Sequence, residues 1–163
     1  LSSQNKWQSN GDEMIQTIYV YNYAEMEEKM KTLPFDARII GCIDTEFVNT
    51  PLFETDDYKL LLQFDDCTPE EKYGFNPQLM SKEQANQVVQ YILKLVDGRV
   101  RHDLHIHCIG GQARSTAIAK FAIWVANLQH KHIRTNNPFR PNPYVEKMLD
   151  EAYRSFIRTG SVQ

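Results

Sequence analysis

Between residues 115 and 128 almost every side chain is apolar. Ala117, Ile118, Ala119, Phe121, Ala122, Ile123, Trp124 and Val125 follow one another with Lys120 as the main interruption. A helix with this pattern has no polar face to turn toward water, so the fold must bury it among other elements. The segment in front of it narrows the choice. Residues 104–108 (L-H-I-H-C) alternate as a short strand does, and 109–114 (I-G-G-Q-A-R) turn the chain from that strand into the helix. A strand that feeds a buried helix through a tight loop belongs in an α/β layer structure.

The rest of the chain repeats the alternation. Residues 15–21 are β-branched and aromatic and predict a strand, followed by a short amphipathic helix over 24–33 that ends before Pro34. Residues 37–43 predict a second strand. After a loop with Pro51 and Asp56, residues 58–64 (Y-K-L-L-L-Q-F) run nearly continuously apolar, the pattern of a strand covered on both faces. A polar loop over 65–77 leads to Ser81 and Gln84, spaced as a capping box, and Ala85, Val88, Val89, Ile92, Leu93 and Val96 follow at helical spacing up to Asp97. Asn142 and Pro143 predict the cap and first residue of a last helix, with its stripe at Val145, Met148, Leu149, Ala152, Tyr153 and Phe156. The class expected is α/β, a central mainly parallel sheet flanked by helices on both faces, in one domain over 14–163. Residues 1–13 are polar and aperiodic and read as a disordered leader or an expression remnant.

Composition restricts function. No apolar run reaches bilayer length, so no membrane partner is expected. Three cysteines, Cys42, Cys67 and Cys108, cannot complete a disulfide framework and suit a reducing, cytoplasmic setting. A net charge of -3 without a dense Lys/Arg block argues against a nucleic-acid partner held by charge. Oligomeric state is not legible.

Residues 104–115 admit three readings. As a metal site, His105, His107 and Cys108 are poorly arranged, because strand alternation sends the two histidines to one face and Ile106 and Cys108 to the other. Further ligands would have to come from His102, Asp103, His130 or His132, and no spacing recruits them, so neither a metal nor another cofactor is expected. For His105 the better account is a hydrogen-bonded histidine at a strand end. As an anion cradle the stretch uses every polar residue. The amides of Ile109, Gly110, Gly111, Gln112, Ala113 and Arg114 and the positive end of the following helix converge on one point. Gly110 and Gly111 let the loop adopt positive φ. Arg114 adds a planar fork suited to two phosphate oxygens. Cys108 lies in the same positive field, which favours a thiolate. The third reading is a polar strand-to-helix turn.

His107, Cys108, Gly111, Arg114 and Ser115 together spell H-C-x-x-G-x-x-R-S, which resembles the active-site loop of the cysteine-dependent protein tyrosine and dual-specificity phosphatases. The order of strand, acid loop, helix, strand, loop and helix is similar to theirs over most of residues 15–160, and N-P-F-R-P-N-P-Y-V (137–145) resembles small bacterial and phage members. The resemblance implies a metal-independent phosphomonoester hydrolase. In it Cys108 attacks phosphorus to form a phosphocysteine, Arg114 holds the equatorial oxygens, Ser115 helps the sulfur leave, and His107 supports the loop from behind. It also implies a general acid in the loop after the preceding strand, where Asp66 takes that position and Asp65 is its neighbour, with Glu70 and Glu71 in reserve. The substrate expected is a phosphorylated protein or a small phosphomonoester. Ile109, Gly110, Gln112 and Ala113 carry no charge, which disfavours inositol lipids. Cys67 offers a redox partner to Cys108, although a half-buried loop thiol is the plainer account. A catalytically silent phosphate-binding module is the alternative function. His130, His132, Arg134 and Arg140 are candidates for a basic rim or for a solvated loop.

Overall fold

The structure is a computed structural model that describes residues 15–46, 50–71 and 76–160; the leader expected over 1–13 lies outside the described residues. Five strands form one sheet: β1 (Ile15–Tyr21), β2 (Arg38–Ile43), β3 (Lys59–Gln63), β4 (His102–His107) and β5 (Ile133–Thr135). They lie in the order β3-β2-β4-β1-β5, and every neighbouring pair is parallel. Among the described residues four α-helices flank the sheet: α1 (Tyr23–Met30), α2 (Lys82–Val96), α3 (Arg114–Val125) and α4 (Pro143–Thr159). The α/β class is therefore as expected. No helix among the described residues is long and apolar enough to cross a membrane.

Local chemistry explains the helix boundaries. Ser81 and Gln84 form the anticipated capping box at α2, and Asn142 caps α4 with Pro143 in its first turn. At α1 the cap is Asn22, reciprocated by Glu25 in a second capping box. That helix stops at Met30 and not at residue 33. Thr32 turns its hydroxyl back to the Lys29 carbonyl, and the residue before Pro34 disfavours helical backbone.

Alternation along the strands sorts the two faces. Ile18, Val20, Ile40, Leu62, Leu104 and Ile106 pack with Val88, Ile92, Ile118, Ala122 and Leu149 from α2, α3 and α4 in one core, each branched side chain contributing about 1.5–3 kcal/mol by burial. On the other face Tyr19, Tyr21 and His105 stack, and the Tyr21 hydroxyl lies 2.9 Å from His105 Nδ1. Burial, and then the charge of Lys29, lowers the His105 pKa to about 4. His105 is thus the hydrogen-bonded strand histidine expected of it.

Three expectations need correction. The apolar run of β3 lies at the sheet edge, with Leu61 only half-buried. Thr55 from the preceding loop accepts the Leu61 N–H at 2.9 Å, so the loop shields that edge in place of a further strand. Helix α3 is not covered all round, because Trp124 is 59% exposed beside Tyr153. Residues 133–135, where no strand is predicted and Arg134 is a candidate for a rim or a solvated loop, form β5 against β1; three residues are too few to show a period.

Candidate active site

All strands being parallel, their C-terminal ends share one edge of the sheet, where ligands of such sheets bind. β4 delivers Cys108 there, between β1, followed by Asn22, and β2, followed by Asp44. Phe64, Asp65 and Asp66 follow β3. The chain then turns through 109–113 into α3.

The shape of that turn follows from where its carbonyls go. Ile109 O accepts from Tyr23 N at 3.1 Å, Gln112 O from Arg140 N at 3.0 Å, and Ala113 O from Asn142 N at 3.0 Å. In a trans peptide the N–H of the next residue points opposite to the carbonyl, so the amides of Gly110, Ala113 and Arg114 turn toward the inside of the loop. Gly111 directs its N–H onto Cys108 Sγ at 3.2 Å, and Ser115 Oγ sits 3.0 Å from the same sulfur. No side chain caps the N-terminus of α3. The first-turn amides there keep their partial positive charge for whatever occupies the loop.

Of the two glycines, only Gly111 adopts positive φ, at 68°, which corrects the expectation for Gly110. A Cβ on Gly111 would lie 2.6 Å from the Asn22 backbone nitrogen, whereas one on Gly110 would meet nothing within 4 Å. Gly111 is required by conformation and by space together.

Arg114 is 3% exposed. Its Nη1 donates to the Phe64 carbonyl at 2.6 Å and pairs with Asp44 at 2.9 Å, while its Nε is buried without a hydrogen-bond partner among the described residues. Burial works against the charge, but Cys42, Cys108, Asp44 and Asp66 hold the Arg114 pKa above its ordinary value. Arg114 borders a cleft of about 730 Å³, together with Ile109, Gly110, Asp44, Glu46, Asp65 and Asp66. A fixed guanidinium with an unused donor, beside inward amides and a sulfur, has the chemistry to hold an oxyanion next to a thiol.

No protein-family model matches the chain, and no curated protein is significantly similar to it.

The two aspartates at the cleft differ. Asp65 accepts from Thr45 N at 3.0 Å, from Thr45 Oγ1 and from Gln78 N at 2.8 Å. Partial burial works to raise its pKa, yet these hydrogen bonds and the Arg114 charge hold it below the usual carboxylate value. Asp65 is a fixed anion that ties the end of β3 to the turn after β2. Asp66 is exposed, and its Oδ1 accepts from Asn142 Nδ2 at 2.8 Å. Of the reserves, Glu71 Oε1 accepts from Thr68 N and so closes its own turn, and Glu70 is exposed.

His107 lies behind the loop on the opposite face of the sheet from Cys108, edge-on to Phe53 and Tyr23. Burial lowers its pKa to about 4, aided by the Arg114 charge and opposed by the ring's contact with the Cys108 backbone. Its space is set by Gly41, where a Cβ would come within 2.5 Å of Nε2. Cys42, Cys67 and Cys108 are all free thiols; burial pushes Cys67 up, reinforced by Asp65, Glu71 and Asp66. Among the described residues, no three His, Cys, Asp or Glu side chains are grouped to hold a metal ion. The basic rim is not assembled. His132 shares a cavity with Ile15 and Arg101 at the opposite end of the sheet, and Arg140 reaches the loop through its backbone. Asp44 and Asn142 join the site without having been read as part of it. Asp44 carried one signal, a carboxylate directly after a strand, but its relevance depends on strand order.

Proposed function

We propose that the protein hydrolyses phosphomonoesters through a phosphocysteine. The observation that carries this reading is Cys108 Sγ beneath a loop whose carbonyls are drawn outward, with Gly111 N–H and Ser115 Oγ on the sulfur and with Arg114 lining one cleft with the loop residues Ile109 and Gly110. The loop amides, the α3 N-terminus and Arg114 bind the phosphoryl oxygens and stabilise the charge that spreads over them in the transition state. Cys108, as the thiolate, attacks phosphorus; the S–P bond forms as the ester P–O bond breaks. Asp66 gives its proton to the departing oxygen. Water then attacks the phosphocysteine, Asp66 takes its proton, inorganic phosphate leaves and the thiolate is restored, with Ser115 Oγ donating to the sulfur. The fixed hydrogen bonds of Asp65 favour Asp66, exposed at the cleft, as the acid.

The substrate class that fits is a phosphotyrosine-bearing or similar phosphomonoester. The test is turnover of 4-nitrophenyl phosphate by the wild type in the presence of a chelator, inhibition by vanadate, and loss of turnover in Cys108→Ser. Asp66→Ala is expected to lower turnover of phenyl phosphate by about 100-fold or more while sparing the activated aryl ester. Vanadate binding without turnover in the wild type favours the silent phosphate-binding module, and activity abolished by the chelator removes the proposal.

A further inference from the structure

Asn142 is 5% exposed and joins three segments. Its Oδ1 accepts from Tyr144 N at 2.9 Å and Val145 N at 3.2 Å, which caps α4. Its backbone N–H holds the Ala113 carbonyl at the end of the loop. Its Nδ2 donates to Asp66 Oδ1 at 2.8 Å and to the Cys67 carbonyl at 3.2 Å. Capping requires only the oxygen, and Asp or Ser would serve as well. What distinguishes Asn here is its amide group, and both amide hydrogens go to the segment carrying Asp66.

We propose that Asn142 is the positioning residue for the general acid, an inference that rests on the phosphomonoester reading. A protonated carboxyl accepts through one oxygen and donates through the other. An N–H on Oδ1 assigns the proton to Oδ2 and fixes the rotation of the carboxyl. The groups facing Asp66 around the cleft are Asp44, Glu46, Asp65, Arg114 and the Cys67 thiol. A neutral amide orients the carboxyl without bringing a further charge into a cleft that already holds Arg114 and three other carboxylates. Because the same residue holds Ala113, the distance between acid and loop is set by one side chain and its own backbone.

The test uses Asn142→Ser and Asn142→Asp. Both keep a capping oxygen and the N–H to Ala113, and neither supplies the amide donor. Turnover of phenyl phosphate is expected to fall about 30-fold, that of 4-nitrophenyl phosphate by no more than about 3-fold, with KM unchanged. Asn142→Ser added to Asp66→Ala is expected to cost nothing further on phenyl phosphate, because the two act as one unit. Equal losses on both substrates, or losses that add to those of Asp66→Ala, overturn the role of Asn142 and leave the hydrolase standing. A wild type that turns over neither ester overturns both. In case neither variant folds, the wild-type side-chain amide resonance of Asn142 decides: it moves in Asp66→Ala, and an unmoved resonance refutes the contact.

Discussion

Cys42 and Cys108 stand at the same edge of the sheet on adjacent strands, and both are buried, at 0% and 2% exposure. Their surroundings differ. Cys42 sits in the apolar core, where burial raises its pKa far above that of a free thiol, despite the pull of the Arg114 charge. Cys108, just beyond the end of its strand, meets the Gly111 amide and the Ser115 hydroxyl. Equal burial thus leaves one sulfur against apolar side chains and the other against two polar partners.

The sharpest way to break this contrast is chemical. Cys108→Ser is expected to lose about a thousandfold or more in turnover of 4-nitrophenyl phosphate, while Cys42→Ser stays within a few-fold of wild type. A comparable loss in the Cys42 variant would mean that the core, and not the loop, sets reactivity. Next in size is the pair of glycines. Gly111→Ala forces a Cβ against Asn22 and Asn137 at positive φ and is expected to cost about 1–3 kcal/mol in a denaturant melt and to abolish vanadate binding, whereas Gly110→Ala changes neither.

The pH dependence of stability comes last. His105 and His107 have pKa values near 4 in the folded state, below the ordinary histidine value, so the unfolded chain takes up protons first as pH falls. Stability present above about pH 6.5 is therefore lost between there and 4. His105→Phe should flatten that slope. Asp65, depressed in the fold, contributes stability that is present above its unfolded value and disappears only as pH falls through the lower folded one, so Asp65→Asn flattens the curve below about pH 4. Urea midpoints measured across pH separate the two windows.

Much of this was written locally. Ser81 with Gln84 and Asn142 with Pro143 announced two helix starts, and the run from 104 to 115 announced the strand, turn and helix at the site, because caps and periods act over a few residues. What escaped the sequence depends on which strands are neighbours. Asp44 matters because β2 lies beside β4, and the apolar run of β3 records cover on its faces without revealing that β3 is an edge strand shielded by a loop. Asn142 was legible as a cap; its amide bond to Asp66 spans chain positions no period links.

The outward grip on the loop comes from Tyr23, Arg140 and Asn142, two of which follow Cys108 in the chain. During synthesis the sulfur leaves the ribosome before the residues that clamp its turn. A nascent chain truncated ahead of Arg140 would carry the thiol without two of the three backbone donors that hold its turn open.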